Sequence, residues 1–195
     1  MLVNKLKRYN IILGSSSPRR KELLAEMGID FRIQTTDKKE SYPKNLIDDE
    51  IAQFLTAQKS EFLSENLRSN DLLITADTIV VQNGEIIHKP NGKQDAIDIL
   101  RRLSGSSHKV ITGVCIKSVE KKVVFSSVTE VFFSNLSDEE INFYVERYTP
   151  FDKAGAYGIQ EWIGFIGIKK IIGSYNNVVG LPTVELYNHL VQFVG

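Results

Sequence analysis

Ten residues, Leu72 to Val81 (LLITADTIVV), constrain the fold more than any others in the chain. Leu, Ile, Val and Thr dominate them, and such a run reads as a central strand of a buried sheet. The rest of the chain must then supply its neighbours and its cover. One residue breaks the pattern. Asp77 is a carboxylate within an apolar run, and it is costly there unless it is paired, hydrogen-bonded or bound to a metal. Satisfying a local turn is the ordinary alternative, yet no surface acid in this chain is a better functional candidate.

A second stretch carries charge of the opposite sign. Ile11 to Leu13 read as the end of a short buried strand, and Gly14 to Ser17 as a tight loop. Ser17 is a natural N-cap, Pro18 suits the first helical position, and Gly28 suits the stop after Leu23, Leu24 and Met27. Arg19 and Arg20 therefore lie in the first turn of a helix, beside free backbone N–H groups and the positive end of the helix dipole. That combination is anion-binding chemistry, phosphate above all. An ordinary capped helix with two solvated arginines fits the same residues.

The remaining elements follow in order. Phe31–Gln34 reads as a short strand, and Thr35 to Asn45, which contains Glu40 and Pro43, as a loop. Asp48 to Leu67 reads as a long helix with Ile47, Ile51, Phe54, Leu55, Gln58 and Phe62 on its apolar stripe. Lys59 falls at the margin of that stripe, where snorkelling to solvent is the simpler reading and meeting an anion the alternative. Asn83-Gly84 marks a hairpin that ends at Lys89-Pro90, which puts Lys89 near Asp77 if both strands share a sheet. A helix over Asp95 to Leu103 buries Ala96, Ile97, Leu100 and Leu103. Lys109–Ile116 and Val123–Phe133 form two antiparallel strands. Ser137 to Glu140 is a capping box that opens a helix to about Tyr148. Asp152 to Gln160 (DKAGAYGIQ) is too glycine-rich for a stable helix and too polar for a core strand, and its composition alone suits a plain turn. Phe165–Ile168 and Lys170–Ile172 suggest a hairpin, Ser174–Asn177 a polar loop, and Leu181 to Thr183 the start of a last helix through Val194.

Composition excludes several classes. The chain has 195 residues, enough for one domain of moderate size or two small lobes. Lys plus Arg is 24 and Asp plus Glu is 24, so a duplex-binding module with its usual basic excess is disfavoured. A single cysteine, Cys115, cannot form an internal disulfide and sits in an apolar run, as a packing residue would. The N-terminus lacks the apolar core of a signal peptide and no run reaches spanning length, so the expected location is cytoplasmic, with no membrane partner. His88, His108 and His189 show no metal-ligand spacing, which favours an oxygen-ligated ion such as Mg²⁺ or Mn²⁺ over zinc.

Together these segments resemble the Maf family of nucleoside triphosphate pyrophosphatases over nearly the whole chain. The matching parts are Leu13 to Arg20, Ala76 to Val80, Lys89-Pro90, Leu103 to Gly105, Asp152 to Gln160, Gly173 to Tyr175 and Gly180 to Pro182. The family usually has Ala at the position of Gly14, a mild change, and often Glu at the position of Gln58, which bears on how Lys59 is held. The resemblance implies one Maf/ITPase-like domain over 1–195: an α/β fold on a large mixed, curved sheet flanked by helices, with a cleft between two lobes. It implies metal-dependent hydrolysis of a nucleoside triphosphate to the monophosphate and pyrophosphate. By position, Ser15, Arg19, Arg20, Lys59 and Lys89 would hold the phosphates. Glu40 and Asp77 would serve the metal and the attacking water, and Lys153 and Gln160 would close the site, Gln160 near the base. A homodimer is implied as well. The run Asp152 to Gln160 resembles the branch acting on dTTP and UTP, with modified pyrimidine nucleotides within its reach. The alternatives are a relative acting on 7-methyl-GTP and a nucleotide-binding regulator of septum formation.

Overall fold

The computed structural model describes residues 1–195. In chain order its elements are α1 (Leu2–Leu6), β1 (Asn10–Leu13), α2 (Pro18–Glu26), β2 (Arg32–Ile33), α3 (Asp48–Leu63), β3 (Asp71–Gln82), β4 (Glu85–Ile87), α4 (Lys93–Leu103), β5 (Ser107–Lys117), β6 (Lys122–Phe133), α5 (Asp138–Tyr148), α6 (Trp162–Gly167), β7 (Ile168–Ile172), α7 (Tyr175–Val179) and α8 (Thr183–Phe193). A 3₁₀ turn covers Ala154–Ala156. The sheet has seven strands in the order β2-β1-β3-β5-β6-β7, with β4 paired to β3. It is mixed: β1 pairs in parallel with β2 and β3, whereas β4 and β7 pair antiparallel with β3 and β6. The fold is thus the α/β mixed sheet that the resemblance implies.

The chain divides into two compact units. The first comprises Met1–Asp77, Thr112–Ser127 and Gly180–Gly195; the second comprises Thr78–Ile111 and Val128–Val179. Strands β3, β5 and β6 each contribute residues to both. A boundary inside strands leaves no composition shift in the sequence.

In the first unit, strand alternation sorts β3 into two faces. Leu72, Ile74 and Ala76 join one core with Leu2, Leu6, Leu24, Leu186 and Leu190, so α1, α2 and α8 contribute to that core. Leu73 packs on the opposite side with Ile12 and with Leu63 of α3. The face of α3 that is buried differs from the expected stripe. It is Ile51, Ala52, Leu55, Thr56, Ser60 and Leu63, whereas Ile47 is 69% exposed and Phe54 36%. The reason is close approach: a Cβ on Gly113 of β5 would lie 2.2 Å from the Ala52 carbonyl oxygen. Only small residues fit where the helix backbone touches the sheet; Ile51 and Leu55 of the expected stripe remain buried beside that line, whereas Ile47 and Phe54 fall outside it. Helix α3 also ends at Leu63 rather than Leu67.

In the second unit, Asn83 (φ 54°) and Gly84 (φ 78°) make the β3–β4 turn, both left-handed as a two-residue hairpin requires. Ala96, Ile97, Leu100 and Leu103 are the buried face of α4, and Ser137 and Glu140 close a reciprocal capping box on α5. Two expectations are corrected here. Phe165–Ile168 is not a strand: Phe165 to Gly167 finish α6, and only Ile168–Ile172 is extended. Short apolar runs do not distinguish helix from strand by periodicity. Ser174–Asn177 is not a loop either; Asn177 lies in α7 with its amide buried, donating to the Val110 carbonyl (3.0 Å) and Thr129 Oγ1 (2.9 Å).

Candidate active site

The candidate residues of the first unit are assembled by simple geometry. Asp77 follows Leu73 and Thr75 at two-residue steps, so it lies on the face of β3 that meets α3. Thr75 Oγ1 donates to the Thr56 carbonyl at 2.8 Å, which fixes the register of helix on strand. Lys59 is three residues beyond Thr56 on α3, and its Nζ reaches Asp77 Oδ1 at 3.1 Å. The same ammonium is 3.1 Å from Glu40 Oε1. Lys59, Asp77 and Glu40 retain side-chain exposures of 16%, 21% and 26%, so the cluster is sheltered but open at its surface. Lys59 therefore meets anions instead of snorkelling past the core.

Glu40 comes from the loop between β2 and α3, and Gln58 holds that loop: its Oε1 accepts from the Ser41 N–H at 3.0 Å. The consequence of Gln58 thus falls on the placement of Glu40. At the other departure, Gly14, the loop keeps its hydrogen bonds, and a Cβ would meet side-chain methyls. A Cβ there would lie 2.6 Å from Thr75 Cγ2 and 2.8 Å from Leu63 Cδ1.

The serine loop and the start of α2 form as expected. The Ser17 hydroxyl caps α2 through the Arg20 N–H (3.5 Å), and Ser15 Oγ accepts from the Ser17 N–H (3.2 Å). The Arg20 side chain is clamped at two points. Its Nε donates to the Gly180 carbonyl at 2.8 Å and its Nη1 to Ser15 Oγ at 3.3 Å. The Gly180-Leu181-Pro182 stretch thereby acts on the loop 160 residues before it, a function for that motif that composition does not reveal. Burial lowers the Arg20 guanidinium from its ordinary value; Asp77 and Glu40 oppose that shift, and the charge of Arg19 adds to it. Ser15, Arg19, Arg20, Glu40, Lys59 and Asp77 thus bring three cations and two carboxylates together with a capped helix N-terminus.

The candidate residues of the second unit are placed differently. Lys89 is exposed two residues past β4. Gln160 is exposed at the end of an otherwise buried segment, with Gly155 to Ile159 all buried. Lys153 is buried, with its side chain 10% exposed, and its Nζ lies 2.8 Å from Asp152 Oδ1 and 3.1 Å from Glu161 Oε1. Lys153 and Gly155 to Ile159 are therefore packed into the core around one turn, between exposed ends at Asp152 and Gln160, and the segment is not the plain surface turn its composition suits. His108, on β5, bonds Tyr157 Oη through Nε2 at 2.7 Å and packs against Phe133, and burial pushes its imidazole down to about 4.

A divalent ion has a plausible donor set in this geometry. Glu40 and Asp77 are hard oxygen donors from different elements that reach one point, marked by Lys59 Nζ. No group of three or more His, Cys, Asp or Glu side chains is available to hold an ion alone. Two carboxylates with water and phosphate oxygens filling the remaining positions match Mg²⁺ better than an all-protein cage would. No helix is long and apolar enough to cross a membrane.

Comparison with known proteins identifies a family and several relatives. A family profile described as "Maf-like protein" matches residues 10–193. A "dTTP/UTP pyrophosphatase" of Bacteroides fragilis (strain YCH46) is 51% identical over 98% of this chain and 100% of its own length. Proteins of the same name from Bacteroides thetaiotaomicron and Flavobacterium johnsoniae are 47% and 44% identical, over 97% and 100% of this chain and 98% and 100% of their own. Among solved structures, a "Nucleoside-triphosphatase / dITP/XTP pyrophosphatase" of Mycobacterium abscessus matches 65% of this chain and 74% of its own at 11% identity and a TM-score of 0.39.

Proposed function

The chain belongs to the Maf family, and from that premise we propose that it is a dTTP/UTP pyrophosphatase, hydrolysing these triphosphates to the monophosphate and pyrophosphate. The observation that carries the reading is Asp77: an acid on a central strand, paired with Lys59 beside a clamped Arg20. A protein that only binds a nucleotide has no need of a sheltered acid next to phosphates.

Ser15, Arg19, Arg20, Lys59 and Lys89 hold the triphosphate. Cleavage spreads negative charge onto the bridging and leaving oxygens, and preorganised cations and backbone N–H groups stabilise that charge with little reorganisation. Arg20 suits this task because Ser15 and Gly180 already fix its plane. Asp77 and Glu40 serve a divalent ion such as Mg²⁺ or Mn²⁺ and the attacking water. Water is a weak nucleophile, and a carboxylate that orients it or takes its proton supplies about 10²–10⁴-fold. When bound, the ion would neutralise phosphate charge and lower the pKa of water. Lys153 and Gln160 act at the nucleoside end. The Gln160 amide offers one donor and one acceptor, which pair with the carbonyl and imide edge that thymine and uracil share. We place the protein in the cytoplasm, as a homodimer in which 1–195 acts as one functional domain.

The products test the reading. Incubation with dTTP or UTP and Mg²⁺ yields monophosphate and pyrophosphate in equal amounts, and a chelator stops it. Release of inorganic phosphate with a nucleoside diphosphate would contradict the proposal.

A further inference from the structure

Gln160 discriminates between bases only if its side chain leaves the backbone in a fixed direction, because an unanchored amide reorients at little cost and then fits cytosine as well as uracil. The second unit contains a network that holds the backbone carrying this side chain. Glu161 is the N-cap residue of α6, yet its carboxylate makes no capping bond. It is engaged elsewhere: Oε1 is 3.1 Å from Lys153 Nζ, and Oε2 accepts the hydroxyl proton of Tyr144. Tyr144 in turn accepts from the Gly158 N–H at 3.0 Å. The directions follow from the donors: the Gly158 N–H can only donate to the phenol oxygen, which leaves the hydroxyl proton for the Glu161 oxygen. Burial and the neighbouring Glu161 charge push the Tyr144 phenol up, so it stays a donor.

The backbone is tied at the same points. The Glu161 N–H donates to the Gly158 carbonyl at 3.0 Å, and the Gly164 N–H to the Glu161 carbonyl at 2.8 Å. A Cβ on Gly158 would lie 2.7 Å from the Glu161 carboxyl carbon, so the carboxylate rests directly on the backbone of the segment it secures. Ile159, the residue before Gln160, is 7% exposed, and its carbonyl oxygen would lie 1.9 Å from a Cβ on Gly164. Gln160 is the exposed residue between these anchored neighbours.

We infer that Glu161 and Tyr144 are positioning residues for base recognition: together with Lys153 they fix the Gly158–Glu161 backbone and so set the direction in which the Gln160 side chain leaves it toward the pyrimidine. The inference rests on the proposed activity and adds the residues that give it selectivity. Glu161 and Tyr144 are not among the residues assigned to the phosphates or the attacking water, so their loss should act on the choice of base and not on the chemical step.

The test uses the full chain and its Glu161→Gln and Tyr144→Phe variants, with steady-state kinetics on dTTP, UTP and CTP. Each variant should lower the UTP-to-CTP ratio of kcat/KM by about tenfold, as loss of a site's hydrogen-bond selectivity does, with the change in KM and kcat nearly kept. The two changes should not multiply when combined, because they break one network. Hydrogen exchange at the Gly158 amide should also quicken in both. If one variant fails to fold, the other decides. An unchanged UTP-to-CTP ratio, with activity lost equally on all nucleotides, would make the network merely structural and overturn the inference while leaving the activity in place. A parent protein that cleaves no pyrimidine triphosphate would overturn the activity itself and this inference with it.

Discussion

Asp77 and Lys59 form the pair on which the proposed chemistry turns. Asn has the shape of Asp but cannot take a proton and ligates a metal poorly. We predict that Asp77→Asn lowers dTTP turnover by at least about a hundredfold, the lower bound for a positioned acid–base group. Its thermal midpoint should stay close to that of the parent, since Lys59 retains Glu40 as a partner. Near-parental turnover in a folded variant would remove Asp77 from the reaction. The cations are a separate matter. Arg20→Ala and Lys89→Ala should each raise KM for triphosphate, by the roughly 1.5–3 kcal/mol that one charge-assisted hydrogen bond contributes. Unchanged KM in both would remove these cations from triphosphate binding. Asp77 was legible in the sequence because a carboxylate amid β-branched residues is an anomaly in any strand. Its partnership with Lys59 was not, because it depends on the register of α3 on β3, which the Thr56–Thr75 contact sets. Glu161 gave no signal at all: the sequence shows no helix at Trp162, and nothing in chain order links Glu161 to Tyr144 or Lys153.

The elements that were legible are those whose ends are chemically marked. Ser17-Pro18, Asn83-Gly84 and Ser137 to Glu140 signal a cap, a hairpin and a capping box, and each forms where expected. Helix α3 carries no such mark for its buried face, because that face is lined with Ala52, Thr56 and Ser60, small residues that a hydrophobic pattern overlooks. The close approach makes Gly113→Ala a sharp test. Its Cβ meets backbone that cannot turn aside, so we expect a loss of at least about 1–3 kcal/mol, the usual cost of overpacking, read by denaturant unfolding. A neutral Gly113→Ala would mean that α3 lies farther from the sheet. His108 on β5 gives a pH signature. Its folded pKa of about 4 lies below its ordinary value of 6.5, so the unfolded chain binds the extra proton between those values. Stability from this group is complete above about pH 6.5 and falls as pH drops toward about 4, by about 3 kcal/mol in total. A His108→Gln variant should lack that component of the acid slope. Parallel pH profiles for parent and variant would show that His108 titrates normally.

At the scale of the whole molecule, the family resemblance and the mixed sheet were both legible, because ordered motifs span nearly the full chain. The division into units was not, because its boundaries fall inside β3, β5 and β6, where nothing in the composition changes. The Gly180 carbonyl that holds Arg20 shows the same limit: sequence proximity says nothing about a bond across 160 residues. What the molecule does as a whole is decided by which base it accepts. The most direct measurement is the initial rate of pyrophosphate release from dTTP, UTP, CTP, GTP and 7-methyl-GTP at one concentration with Mg²⁺ present. The account predicts dTTP and UTP ahead of the rest, with purine triphosphates the poorest. A guanine nucleotide as the best substrate would contradict it.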